Sequence, residues 1–206
     1  MEEAEVLTVR SQMVSPVVTI SPGATVKDAF DLMRRHDIRH LPVVAREKIK
    51  GLVTERSIQP LLWPSMIEEI KVSEAMVPDP ITVEPGDGLE KAARLFYEHK
   101  IGCLPVVEGE KVVGILSVPD LLAAFIEFMG LLTSSLRLDI VLAPREDALE
   151  EVTTILRRHG GSILSVGMLP AREGRAVYSI RSTRLEPEPL RRELTDKGHR
   201  IIALLS

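Results

Sequence analysis

The chain of 206 residues contains no asparagine and a single cysteine, Cys103. One thiol excludes an internal disulfide and fits a reducing compartment, so a cytoplasmic protein is expected. Aromatic residues make up only 3% of the chain, too few for the stacking platforms of single-strand nucleic-acid binders. No run of 18 or more apolar residues occurs; the longest, 121–132, is broken by Glu127 and reads as a buried helix. The N-terminus lacks the basic-then-apolar order of a signal peptide, and no membrane segment is expected. A basic excess is also missing: the formal net charge is −4 and the arginines are scattered, which argues against nucleic acid as a partner. Missing asparagine, with arginine outnumbering lysine, is a composition that leans toward heat-tolerant proteins. What remains, 45% hydrophobic and 27% charged, is the balance of a soluble globular chain with room for one or two domains.

What is present is a repeat. An offset of 63 residues lays the positions from about Leu7 to Ile58 on Ile70 to Leu121 without a gap. Met13 meets Met76, Thr19 meets Thr82, Pro22-Gly23 meets Pro85-Gly86, His36 meets His99, and Ile38 meets Ile101. Leu41-Pro42-Val43-Val44 returns as Leu104-Pro105-Val106-Val107, Glu47-Lys48 as Glu110-Lys111, and Gly51 as Gly114. A repeat of this length is one folding unit duplicated, with like faces packed together. Such a pair creates clefts at a pseudo-twofold axis, and comparing the copies tells which cleft has kept its polar groups.

Each copy reads as β-α-β-β-α. A short polar strand is expected at 7–10 and again at 70–72, followed by extended segments at 17–20 and 81–83. Val26, Ala29, Phe30 and Met33 recur at helical spacing, as do Leu89, Ala92, Ala93 and Phe96 in the second copy. The Leu-Pro-Val-Val run and the apolar run after it, joined by a turn such as Glu108-Gly109-Glu110, predict a hairpin. A last helix is expected from about Ser57 and from about Asp120, and 59–69, with Pro60, Trp63 and Pro64, reads as a structured linker. From Leu136 the pattern changes. Strands are predicted at 138–142, 163–169, 176–181 and 201–205, and helices at 147–158 and 188–197. Gly160-Gly161 and Gly198 serve as helix stops and 171–174 as a turn. That order, β-α-β-β-α-β, is the ferredoxin-like arrangement. The expected architecture is therefore α/β (α+β): two repeats over 7–69 and 70–132, then a ferredoxin-like domain over 136–206.

The sharpest local motif is Gly114-Ile115-Leu116-Ser117-Val118-Pro119-Asp120, matched in the first copy by Gly51-Leu52-Val53-Thr54-Glu55-Arg56-Ser57. A buried strand ends, a hydroxyl follows, and three places later a carboxylate opens a helix. Taken alone, this is a capping box, in which Ser117 accepts a first-turn N–H and Asp120 complements the helix dipole.

The tandem repeat, the Leu-Pro-Val-Val runs and the Gly-apolar-apolar-Ser/Thr-x-x-Asp motif together resemble a pair of CBS domains, the adenosine-ligand sensing module, over roughly residues 7–125. That resemblance implies two clefts, each drawing on both copies. The aspartate would take the ribose hydroxyls, backbone groups the adenine edge, and basic or hydroxyl residues the phosphate. Carried over by position, one cleft combines Ser117 and Asp120 with Val17, Val18 and Thr19 and with Ile38, Arg39 and His40. The other combines Thr54 and Ser57 with Ile81 and Thr82 and with Ile101, Gly102 and Cys103. In the second cleft Ser57 replaces the aspartate and no basic residue stands in the phosphate loop. A carboxylate–hydroxyl bond contributes about 1.5–3 kcal/mol, so one competent and one degenerate site are expected, with Arg56 as the one residue that could reach phosphate in the latter.

Other residues carry plainer readings. His36 and His99 end the first helix of each copy, where cations complement the dipole. His40 is either a surface loop histidine or a phosphate contact beside Arg39. Cys103 fills space, no metal spacing is legible, and no catalytic constellation is found, so the chain reads as a non-enzyme. The last 70 or so residues resemble an ACT domain, which implies amino-acid binding or pairing with a second copy. Its usual ligand loop here reads Ala143-Pro144-Arg145-Glu146-Asp147, with Arg145 where glycine is common. The plainer use is dimerisation through sheet edges. CBS pair plus ACT together resemble the acetoin-utilisation family, which implies a regulatory homodimer binding AMP, ADP or ATP, with S-adenosylmethionine and NADH as other adenosine ligands. Two alternatives stand beside it: an amino-acid sensor acting through the C-terminal domain, and a scaffold with empty clefts in which Asp120 only caps a helix.

Overall fold

The computed structural model describes residues 7–61, 70–132, 135–169 and 176–205, and within them the chain forms two compact units, 1–122 and 123–206. Trp63 and Pro64 of the expected linker, and the expected turn at 171–174, lie outside the described residues.

In the first copy, α1 (Val9–Gln12) is followed by α2 (Val26–His36), β1 (His40–Ala45), β2 (Lys48–Thr54) and α3 (Glu55–Ile58). The second copy repeats the order as α4 (Val72–Ala75), a two-residue β3 (Val77–Pro78), α5 (Leu89–His99), β4 (Cys103–Glu108), β5 (Lys111–Ser117) and α6 (Val118–Phe128). The predicted long helices and hairpins are found, but the last helix of the first copy, expected from about Ser57, is a single turn that starts at Glu55 and passes into a 3-10 turn at Gln59–Leu61. α2 starts at a full capping box between Thr25 and Asp28, and its sequence equivalent α5 starts after Gly88 without a side-chain cap. Each ends on a non-glycine residue in the left-handed region, Asp37 at φ 52° and Lys100 at φ 55°.

The expected polar strands at 7–10 and 70–72 are corrected: Val9 and Val72 open single helical turns instead. Segments this short carry too few residues for a period to be read. The reason they exist is tertiary. Val9 N–H donates to Asp87 O (2.8 Å) and Arg10 N–H to Pro85 O (2.9 Å), both in the other copy. Val72 N–H and Ser73 N–H make the equivalent bonds to Ala24 O (2.8 Å) and Pro22 O (3.1 Å). Each copy thus begins by docking on the N-terminus of the other copy's long helix. Val72 accordingly belongs to the core of the first copy, with Ile20, Val26, Ala29, Met33, Leu41, Val43, Val53 and Ile58.

The strands form one sheet in the order β1-β2-β5-β4, with β3 beside β2. Both hairpins are antiparallel and carry the same irregularity, between Val43 and Val44 and between Val106 and Val107. The extended segments 17–20 and 81–83 reduce to single parallel bridges, Ile20 to Val43 and Val83 to Val106. The stretch 121–132, expected as a buried helix, is helical only to Phe128; Leu121 and Ala124 are buried while Leu122, Phe128 and Leu132 are exposed. Apolar content alone does not tell which side of a helix a core covers.

The second unit contains β6 (Ser135–Val141), α7 (Ala148–Arg158), β7 (Ile163–Leu169), β8 (Val177–Thr183), α8 (Pro187–Asp196) and β9 (Arg200–Leu205). Its sheet is antiparallel in the order β7-β8-β6-β9, the βαββαβ topology the pattern predicted. Leu136, Leu138 and Ile140 of β6 alternate onto one face and meet Val152, Ile155 and Leu156 of α7 and Leu190 and Leu194 of α8. The strands β7 and β9 are left at the two edges.

Candidate functional site

β5 brings Ser117 to the start of α6. Its backbone N–H and its hydroxyl both donate to Asp120 Oδ2, at 2.8 and 2.5 Å. Half of the expected capping box is present, since Asp120 accepts the Ser117 N–H; among the described residues the Ser117 hydroxyl donates to the same carboxylate and receives no first-turn N–H. Oδ1 of Asp120 receives no hydrogen bond among the described residues. In the first copy the reciprocal box is complete. Ser57 N–H donates to Thr54 Oγ1 and Thr54 N–H to Ser57 Oγ, each at 3.1 Å. Ser57 Oγ also donates to Thr54 O at 2.9 Å, so its single proton is committed.

The loops before β1 and β4 are tied to the helix starts of their own copies. Glu55 N–H donates to Arg39 O at 2.9 Å, and Val118 N–H donates to Gly102 O at 3.1 Å. Arg39 stays beside Glu55, with Nε 3.8 Å from Oε2, and is exposed. His40 behaves differently. A Cβ on Gly102 would sit 3.2 Å from His40 Nε2 and 3.6 Å from Cε1, so the imidazole crosses to the second copy and occupies the space beside the Gly102 backbone. Burial, then the charge of Arg39, lowers the pKa of His40 from its ordinary value, with Glu55 opposing. The missing side chain at Gly102, read from sequence as the loss of a basic residue, is what admits this ring.

The remaining predicted residues are dispersed. Val18 and Ile38 pack against the core of the first copy. Val17 and Thr19 line a depression of about 270 Å³ with Ser15, Pro16, Val44, Glu47 and Lys111–Val113. Cys103 is buried and stands opposite Ser117 in the β4–β5 register; burial pushes its thiol up to about 12, which leaves it protonated and unsuited to nucleophilic work. Ile81, Thr82 and Ile101 are half-buried. The structure therefore brings Ser117 together with Asp120, and His40 together with Gly102, whose carbonyl accepts the Val118 N–H. It sets Arg39 beside Glu55, and Val17 and Thr19 at the opposite end of β5 from Ser117.

Sequence reasoning missed the charges at that opposite end. Lys111 Nζ lies 3.1 Å from Glu47 Oε1, and Lys48 pairs with Glu110 across the copies. Their signal was present, since Glu47-Lys48 and Glu110-Lys111 are repeat equivalents, but only the β2–β5 contact at Lys48 and Lys111 shows that each glutamate meets the other copy's lysine. Among the described residues, no group of three or more His, Cys, Asp or Glu could hold a metal ion, and no helix is long and apolar enough to cross a membrane.

A CBS domain family model matches residues 5–62 and 72–127. The CBS domain-containing protein YhcV of Bacillus subtilis is 33% identical over 114 residues, 55% of this chain and 81% of that protein. The inosine-5'-monophosphate dehydrogenase of Korarchaeum cryptofilum is 35% identical over 111 residues, but these cover only 22% of the enzyme. Among solved structures, an acetoin utilization protein (AcuB) from Vibrio cholerae is 34% identical with a TM-score of 0.55, covering 61% of this chain and 94% of that one. CBSX2 in complex with AMP is 25% identical with a TM-score of 0.54, over 59% and 97%. The CBS domain pair of protein MJ0100, in complex with 5'-methylthioadenosine and S-adenosyl-L-methionine, is 25% identical with a TM-score of 0.53, over 57% and 94%.

Proposed function

The chain belongs to the CBS-domain family, and from that premise we propose that it is a regulatory protein, not an enzyme, that senses an adenosine-containing ligand at the Ser117–Asp120 end of β5. The observation that carries the reading is the state of Asp120. Its Oδ2 is fixed by two bonds from Ser117 while Oδ1 accepts none among the described residues, so a carboxylate oxygen is held in place to receive ribose hydroxyls. His40, set against Gly102 beside the N-terminus of α6, supplies a group for the phosphate or another polar end. Relatives solved with AMP and with S-adenosyl-L-methionine support the ligand class. Ser57 in the first copy has its proton committed to Thr54 O, which supports one working cleft rather than two. AMP, ADP and ATP are the first ligands to test, and the AcuB likeness makes acetoin metabolism the first pathway.

The C-terminal βαββαβ unit fits an ACT-like role. Its edge strands β7 and β9 would pair with a second copy to give a homodimer, in a cytoplasmic protein whose regulated partner is a separate chain. Amino-acid binding at 143–147 is less well supported, because Arg145 is already paired with Asp147 and Glu151. The scaffold reading draws on the same bonds as the sensor, since Ser117 and Asp120 also tie the α6 start to β5.

Calorimetry with AMP, ADP, ATP, S-adenosylmethionine and NADH on the wild type and on Asp120→Ala separates these readings. Binding that disappears in the variant supports the sensor. Unaltered binding moves the site elsewhere, and no binding by any ligand leaves the scaffold.

A further inference from the structure

In the second unit, the side chain of His199 is fully buried, at 0% exposure, yet both ring nitrogens are engaged. Nδ1 accepts the backbone N–H of Ala143 at 3.1 Å, and Nε2 lies 2.9 Å from Glu151 Oε2. An amide N–H can only donate, so Nδ1 must carry a lone pair. The ring is therefore neutral, with its proton on Nε2 donated to Glu151. His199 sits between α8 and β9, and Ala143 lies near the start of the loop from β6 to α7, so one imidazole ties that loop to the α8–β9 connection and to Glu151 of α7.

We propose that His199 is a proton-operated latch on the 143–147 loop. A proton taken from solvent onto Nδ1 places two donors face to face, and the Ala143 amide loses that acceptor. The surrounding charges pull both ways. Glu151 on α7 favours the imidazolium. Arg145 in the loop and Lys197 at the end of α8 both pair with Glu151, the lysine at 3.6 Å, and oppose it. Asp147 takes part of Arg145's charge at 3.3 Å, and β9 adds the exposed Arg200. Electrostatics alone therefore does not hold the cation in place, and the geometry at Nδ1 decides the response: the loop is bound when His199 is neutral and released when it is charged. Because Arg145 bridges the loop to Glu151, release of Ala143 also loosens that clamp.

The test is an NMR titration of the full-length protein from about pH 8 to about pH 5. Long-range proton–nitrogen spectra give the His199 tautomer, and amide exchange gives the protection of Ala143. At the high end Nδ1 is expected unprotonated and Ala143 protected. As His199 gains its proton, Ala143 exchange should rise about tenfold beyond its intrinsic pH dependence, the equivalent of one lost hydrogen bond, while Leu138 and Ile140 stay protected. His199→Asn, whose Oδ1 can take the place of Nδ1 without titrating, should keep Ala143 protected at both ends with no step. An Nδ1–H tautomer at high pH, or Ala143 protection with no step in the wild type, overturns the proposal. Should the variant not fold, the wild-type titration decides by itself.

Discussion

Met13 lies so close to Gly114 that a Cβ on the glycine would sit 2.6 Å from its sulfur, and Met76 closes on Gly51 in the same way at 2.4 Å. Met13 and Met76, like Gly51 and Gly114, stand at equivalent positions of the repeat. Each methionine belongs to one copy and each glycine to the other, so the identities record a contact across the pseudo-twofold axis. The adjoining backbone explains why the approach is close. Val14 and Ile115 exchange N–H···O bonds of 2.9 and 3.1 Å, and β3 pairs with Gly51 and Leu52 of β2.

Alanine at either glycine is therefore expected to destabilise the repeat pair by roughly 1–3 kcal/mol through overpacking. Gly51→Ala should cost more than Gly114→Ala. Its Cβ would meet Val77 O at 2.9 Å, against 3.2 Å to Val14 O for Gly114, and a carbonyl in a strand yields less than a methionine tail. Urea denaturation of each variant checks the order. Adding Met13→Ala to Gly114→Ala should recover part of the loss, as coupled neighbours do.

Asp120→Ala removes the acceptor for both Ser117 bonds. Loss of that tie at the helix start is expected to cost about 0.5–2 kcal/mol and to abolish the nucleotide response. Asp120→Asn, which keeps one acceptor oxygen for the Ser117 N–H, should recover most of the stability without restoring affinity. Parallel denaturation and calorimetry on the two variants measure both quantities.

Gly102→Ala places a Cβ 3.2 Å from His40 Nε2. The imidazole can swing by a few tenths of an ångström, so stability should change by under about 1 kcal/mol. Ligand affinity should fall, because the displaced ring is the polar group beside the α6 start. Equal affinities in variant and wild type would remove His40 from the site.

The pKa of His40 is lowered mainly by burial and secondarily by Arg39. The folded state then favours the neutral ring, and the unfolded state takes up a proton first as pH falls. The stability tied to this group is complete above the ordinary histidine value of about 6.5. It is lost as pH drops from there through the lower folded-state value. Unfolding free energies at successive pH values should show this slope in the wild type and a shallower one in His40→Gln.

The chain itself determined the duplication, the long helices, the hairpins and the βαββαβ order, because each rests on local chemistry. Val26, Ala29 and Met33 mark one helical face, and the alternation of Leu136, Leu138 and Ile140 marks one strand face. The Ser117–Asp120 bond was legible for the same reason, since its partners lie three residues apart. Tertiary structure alone decided what crosses between copies. The segments at Val9 and Val72 are too short to have a readable period, and they became helical turns because each docks on the opposite copy. Arg39 and His40 are neighbours in sequence, yet Arg39 remains with Glu55 while His40 crosses to Gly102. That separation depends on which ring finds a glycine opposite it, and a glycine 62 places away in the chain becomes a neighbour only once the two copies have packed.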